Sequence, residues 1–316
     1  MDLEKEFQKI KSYIYKWHKK DKGDWFPDEQ NEGKEKRSID KDLEEMLNDK
    51  NEIKYLALYF EHMASWKMNQ SQYALLYKED KPRFYKEFAE SSEYAYLGFV
   101  IEHKRDIYLG MRGVGFTLAI NCLSGCNAKY QRIAEGMLYS LNTYDPKKGN
   151  HQEVGVNIMN GNEFSISAWF MLDLYCLVYD RNYNKTYANL PKIYAPYDEV
   201  LKEWNTTNLK KVNQLVFLLC EMHIMKALKK KEDWEQEFDW NEKKLFPFEI
   251  QVWLQMRKEA GLKNPKSYTH YLMNEPLGQV FPLEKPLAFP NIPHIELLKV
   301  EHPELYEAYI SERKNG

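Results

Sequence analysis

Leu3, Phe7, Ile10, Ile14 and Trp17 recur at alternating steps of four and three, the spacing that lines one face of an α-helix and turns it toward a core or a partner. From Lys19 to Ser38 the pattern stops. KKDKGDWFPDEQNEGKEKRS is polar and carries both Gly and Pro, so it reads as a loop with Trp25 and Phe26 as its only apolar anchor. Helical periodicity resumes at Ile39 and continues, with interruptions, to Lys78. Pro82 then suits the first turn of a helix that runs to Lys104. DIYLGMRGVGFTLAINCL, NAKYQRIAEGMLYSL and EFSISAWFMLDLYCLVYD predict three more helices. The last is apolar nearly all round and belongs at the centre of a fold.

Turn-forming residues separate these segments. PKKGNHQEVGVNIMNGN (Pro146 to Asn162) and NYNKTYANLPKIYAPYDE (Asn182 to Glu199) read as long loops, and a long helix follows from about Thr207 to Lys231. The only strand candidate, VGVNIM, is isolated. Helices joined by short loops predict an all-α fold, an irregular bundle of roughly eight to ten antiparallel helices. YLALYFEH (Tyr55 to His62) and YLGFVIEH (Tyr96 to His103) match at four positions, which raises helical-repeat character as a variant of that fold. Two regions are expected: residues 1–80 with the loop at 19–38, and a main helical domain over 81–316 with a proline-studded tail, the two forming either separate domains or one.

Composition narrows the partners. The formal charge is −3, so the basic footprint of a nucleic-acid binder is lacking. Fifteen percent of the residues are aromatic, which favours both large buried area and protein interfaces. The charged N-terminus MDLEKEFQKIK and the shortness of the apolar runs point to a cytoplasmic chain without a membrane span. Cys122, Cys126, Cys176 and Cys220 are too sparse for a disulfide framework and read as free thiols.

Candidate chemistry is thin. Glu61-His62 and Glu102-His103 pair good metal donors, but helical neighbours point about 100° apart, so no metal is expected. No cofactor signature is complete either: Gly110, Gly113 and Gly115 lack the strand and the spacing of a dinucleotide loop and suit close helix packing. Cys220 and His223 sit three apart on a helix, where core packing is the simpler reading than a nucleophile. Asp173 is the one charge in the central apolar helix, so a buried ion pair with Arg105 or Arg112 is expected. In KKKEDWEQEFDWNEKK (Lys229 to Lys244) the five carboxylates from Glu232 to Asp239 are interleaved with Trp234, Phe238 and Trp240. Trp234, Glu235, Glu237, Asp239 and Trp240 there form a candidate surface for a basic partner, with a solvated helix face as the plainer alternative.

PFEIQVWLQMRKEAGL (Pro247 to Leu262), followed by HYLMNEPLGQVFP (His270 to Pro282), resembles the closing motif of helical immunity proteins from bacterial polymorphic-toxin and type VI secretion systems. In that family a helix with a Gly-Leu stop leads to a His-Pro-Leu-Met tail and a later proline; Tyr271 stands here where the tail usually has proline. The likeness covers about 35 residues. It implies a non-enzymatic cytoplasmic protein that neutralises a cognate toxin in interbacterial competition by protein–protein interaction. Two rivals come from other classes. One is a helical enzyme with a central pocket for a small or lipid-like substrate, using Asp173, Glu102 and His103; the other is a helical-repeat scaffold.

Overall fold

The computed structural model describes residues 2–20, 53–104, 111–143, 166–186, 194–228, 241–290 and 295–315, with 190, 238 and 292 singly. The protein is all-α, and no strand occurs among the described residues. Its helices are α1 (Leu3–Lys20), α2 (Ile53–Lys78), α3 (Lys81–Lys104), α4 (Met111–Leu123), α5 (Asn127–Thr143), α6 (Ile166–Tyr179), α7 (Tyr197–Lys202) and α8 (Leu209–Ala227). There follow α9 (Asn241–Lys244), α10 (Phe248–Glu259), two single 3-10 turns (Tyr271–Asn274 and Pro276–Gly278), α11 (Ile295–Glu301) and α12 (Pro303–Asn315). None of the described helices is long and apolar enough to cross a membrane.

α2 and α3 form a long hairpin around a two-residue turn at Glu79-Asp80, where Glu79 takes a left-handed φ of 52°. The expected boundary at residue 80 falls in this turn, and both sides of it feed one apolar core. The similar octapeptides are the two arms of that hairpin: the Cα of Gly98 faces Ala57, Phe60 and Glu61 closely enough that an added Cβ would lie 3.5 Å from the Ala57 carbonyl oxygen. Their likeness therefore serves one antiparallel contact and gives no stacked repeat.

α6 lies inside, as its uniform apolarity predicts: Trp169, Phe170, Met171, Leu172 and Leu174 are fully buried. It meets α4 at Gly115, where a Cβ would fall 2.3 Å from that of Ala168, so only glycine lets these helices close. Close packing thus accounts for Gly115; Gly113 is exposed, and Gly110 is outside the described residues. α10 is the hub, packed against α4, α6 and α8. The loop at Asn182 to Glu199 contains a short helix, α7, that the polar pattern concealed; its Tyr197 stacks on Phe170 at 4.4 Å and draws the segment onto the core.

Candidate functional site

The segment that resembles immunity proteins is interior scaffolding. Ten of the twelve residues of α10 are buried, four of them polar or charged; Glu249, Gln251 and Arg257 answer groups of other segments, and Gln255 donates to Glu259 one turn on. Gln251 Nε2 donates to the Leu277 carbonyl at 2.6 Å, and Trp253 Nε1 donates to that of Trp204 at 3.2 Å. Arg257 is fully buried and donates to the carbonyls of Trp204 (2.6 Å), Thr206 (2.9 Å) and Lys263 (3.0 Å) and to Asn264 Oδ1 (3.0 Å). Burial pulls its guanidinium below the usual arginine range. The helix ends in a Schellman cap. Gly261 at φ 75° donates to Lys258 O and Leu262 N donates to Arg257 O, which is the physical content of the Gly-Leu stop.

The tail after it is shaped by the same demands. His270 Nδ1 accepts from Leu272 N at 3.1 Å and caps the first 3-10 turn, so Nε2 carries the hydrogen and donates to Glu221 at 2.9 Å. Tyr271 packs its ring, tilted by 44°, against Phe7 at 4.8 Å and fastens α1 to the tail. Gly278 closes the second turn so tightly that a Cβ would lie 2.4 Å from Leu272 O.

His223 and Glu249 form a wholly buried pair at 2.8 Å between α8 and α10. His223 Nε2 faces the carbonyls of Lys243 and Lys244, which only accept, so it carries a hydrogen, and a second proton is held between Nδ1 and the carboxyl group of Glu249. Phe238, buried, stacks on the imidazole at 4.3 Å. Cys220 is buried close by and its thiol is pushed well up by burial and the carboxylates of Glu249 and Glu221. This is packing, as the spacing suggested, with the Glu249 partner missed because it lies 26 residues away.

Asp173 stands at the rim of a shallow groove of about 740 Å³ between α6 and α7. Its carboxylate accepts from Tyr183 and Tyr194 hydroxyls at 2.9 Å each, with Lys185 Nζ at 3.5 Å. The described partners of Asp173 are thus two tyrosines and a lysine from the following loop; Arg105 and the side chain of Arg112, expected as its partners, lie outside the described residues. Cys176 in the same groove is pushed up to about 12, by burial first and then by Asp173, so it is a thiol at neutral pH.

The side chains of Glu102 and His103 are not among those described, and neither are Trp234, Glu235, Glu237, Asp239 and Trp240. Among the described residues no cluster of His, Cys, Asp and Glu is arranged to hold a metal ion.

The outer face of α8 is different in kind. Asn208 caps the helix, its Oδ1 accepting from Lys210 N (3.1 Å) and Lys211 N (3.3 Å). The inward stripe of Val212, Leu215, Val216, Leu219 and Cys220 is buried, which leaves Phe217, Leu218 and Met225 turned outward at 41%, 42% and 45% exposure; Leu209, 40% exposed, stands at the helix start on the line of the buried stripe. Beside them a groove of about 620 Å³ runs between α8 and Thr269, with Lys210, Lys211, Gln214 and Phe217 on its walls. Asn213 Oδ1 accepts from both Thr269 N and Oγ1 at 3.3 Å and holds that wall in place. The signal was present in the sequence: LVFLLC carries apolar residues around the whole helix, which reads as burial on every side.

Comparison of the chain with protein-family models, with characterised proteins and with solved structures returned no match.

Proposed function

We propose that the protein works by docking a partner protein on the outer face of α8 and that the partner is a cognate antibacterial toxin, which it neutralises. One observation carries the docking reading: Phe217, Leu218 and Met225 stand exposed together on one side of a single well-capped helix, whereas the other described helices expose large apolar side chains singly, Tyr13 on α1, Tyr139 on α5 and Leu177 on α6. Exposed apolar side chains gathered along one face mark interaction sites. An aromatic ring flanked by aliphatic side chains supplies the kind of centre that dominates binding energy. The toxin partner follows from the likeness of Pro247 to Pro282 to immunity proteins, in which α10 and its tail form the frame that positions α8.

The test is co-expression with the toxin-domain gene beside the one encoding this chain. Cells making both proteins should grow, and cells making the toxin with the Phe217→Ser/Leu218→Ser variant should arrest. Growth of toxin-expressing cells without the protein sinks the immunity reading. Growth with the variant, at parental expression level, removes α8 from the interface.

A further inference from the structure

We infer that the α8 face is built for an acidic polypeptide segment, which seats apolar side chains on Phe217 and Leu218 and sets its carboxylates against Lys210 and Lys211; this rests on the docking reading above. The two lysines occupy the first turn of α8, which holds no acidic residue. The aligned peptide dipoles give that end of the helix a partial positive charge, which favours nearby anions and disfavours cations. Lys210 and Lys211 therefore stand where the fold alone gains nothing from them. Neither ammonium has a carboxylate within ion-pairing distance among the described residues, and both line the same groove as Phe217 and Leu218. Apolar anchors and unpaired cations thus share one surface a few turns long. A partner that offers carboxylates to the helix end and apolar groups to its middle satisfies both at once, whereas a basic segment meets two lysines and a like-signed dipole. The other side of the groove, Thr269 tied to Asn213, is fixed before docking, so the acceptor surface is preformed.

The probes are three synthetic amphipathic helical peptides with identical leucine and phenylalanine positions and Glu, Gln or Lys on the polar face. Each is titrated by fluorescence anisotropy against the full chain, against Lys210→Glu/Lys211→Glu and against Phe217→Ser/Leu218→Ser, with circular-dichroism melts to show that each variant is folded. The expected order for the parent is Glu over Gln over Lys. The outer two should differ by about tenfold or more at low salt and converge as salt rises. Lys210→Glu/Lys211→Glu should invert that order, and Phe217→Ser/Leu218→Ser should weaken the Glu peptide about tenfold. Failure of the Glu peptide to bind, or equal binding of all three with loss in the Phe217→Ser/Leu218→Ser variant, overturns the acidic preference; the latter result leaves the docking face standing. Binding indifferent to Phe217→Ser/Leu218→Ser overturns both. Sedimentation showing a dimer that dissociates on Phe217→Ser/Leu218→Ser assigns the face to a second copy of the chain and overturns the proposal as well.

Discussion

α8 and α10 pack against each other, and each inverts the rule that polar side chains stay outside. α10 buries Glu249, Gln251, Gln255 and Arg257, while α8 exposes Leu209, Phe217, Leu218 and Met225. The two inversions have different physical standing. A buried polar group is tolerable only when its hydrogen bonds are made, and on α10 Arg257 and Gln251 reach out to the loops at 204–206 and 263–264 and to the 3-10 turn at 277, while Glu249 meets His223 on α8. Polarity inside α10 thus organises the loops around it. On α8 the ring of His270 meets Phe217 edge-on at 5.0 Å, and the rest of the exposed apolar surface is left open by the described residues. The first inversion is explained within the molecule; the second calls for a partner.

The sharpest way to break the comparison is at Arg257. Arg257→Met removes the donor to the Thr206 and Lys263 carbonyls and to Asn264 Oδ1, leaving Trp253 as the donor to Trp204, and should lower stability by roughly 3–5 kcal/mol, read as a shift of the urea midpoint at unchanged m-value. Arg257→Lys should recover only part, since one ammonium cannot reach four acceptors in a fixed plane. A midpoint within error of the parent for Arg257→Met would mean that α10 does not organise the loops.

A smaller effect is expected in the tail. Gly278→Ala forces a methyl group against the Leu272 carbonyl and the Met273 backbone and should cost about 1–3 kcal/mol in the same assay. An unchanged midpoint would show that the two 3-10 turns separate easily and that the tail is not held as described.

On α8 the contrast reverses. Phe217→Ser/Leu218→Ser should cost no more than about 1 kcal/mol, because both side chains are largely open and Phe217 gives up one edge contact with the His270 ring. A loss as large as that of Arg257→Met would place these side chains in the core.

The smallest effect concerns pH. Burial holds the His270 imidazole below its ordinary value, against the opposing pull of Glu221, so the unfolded chain takes up this proton more readily than the folded one. With more protons bound in the unfolded state, the stability due to His270 is fully present above about pH 6.5 and declines as pH falls below it toward the folded value. His270→Asn keeps an acceptor for Leu272 N and should flatten that part of the profile relative to the parent. Parallel profiles would show that His270 does not titrate with folding.

The sequence reading went furthest where periodicity alone decides. α1, α3, α5 and α6 lie where the apolar spacing put them, and the inward place of α6 followed from its composition. It failed where a partner is remote. Arg257 and Glu249 look like ordinary polar residues of an amphipathic helix, because the carbonyls of Trp204 and Thr206 and the ring of His223 that bury them lie 26 to 53 residues away. Asp173 was marked as an outlier, yet its tyrosine partners sit in a loop whose polar pattern showed no reason to return to α6. The exposed residues of α8 were hidden differently: apolar residues all round a helix predict burial, and only packing reveals that Phe217, Leu218 and Met225 stay exposed.

The central claim is that α8 carries recognition while α10 carries the frame. Calorimetric titration of the proposed toxin partner into the parent and into Phe217→Ser/Leu218→Ser, each shown by its melting curve to be folded, tests it most directly. The account expects a measurable heat with the parent and an affinity at least about tenfold weaker with the variant at nearly the parental melting temperature. Parental affinity in the folded variant would contradict it.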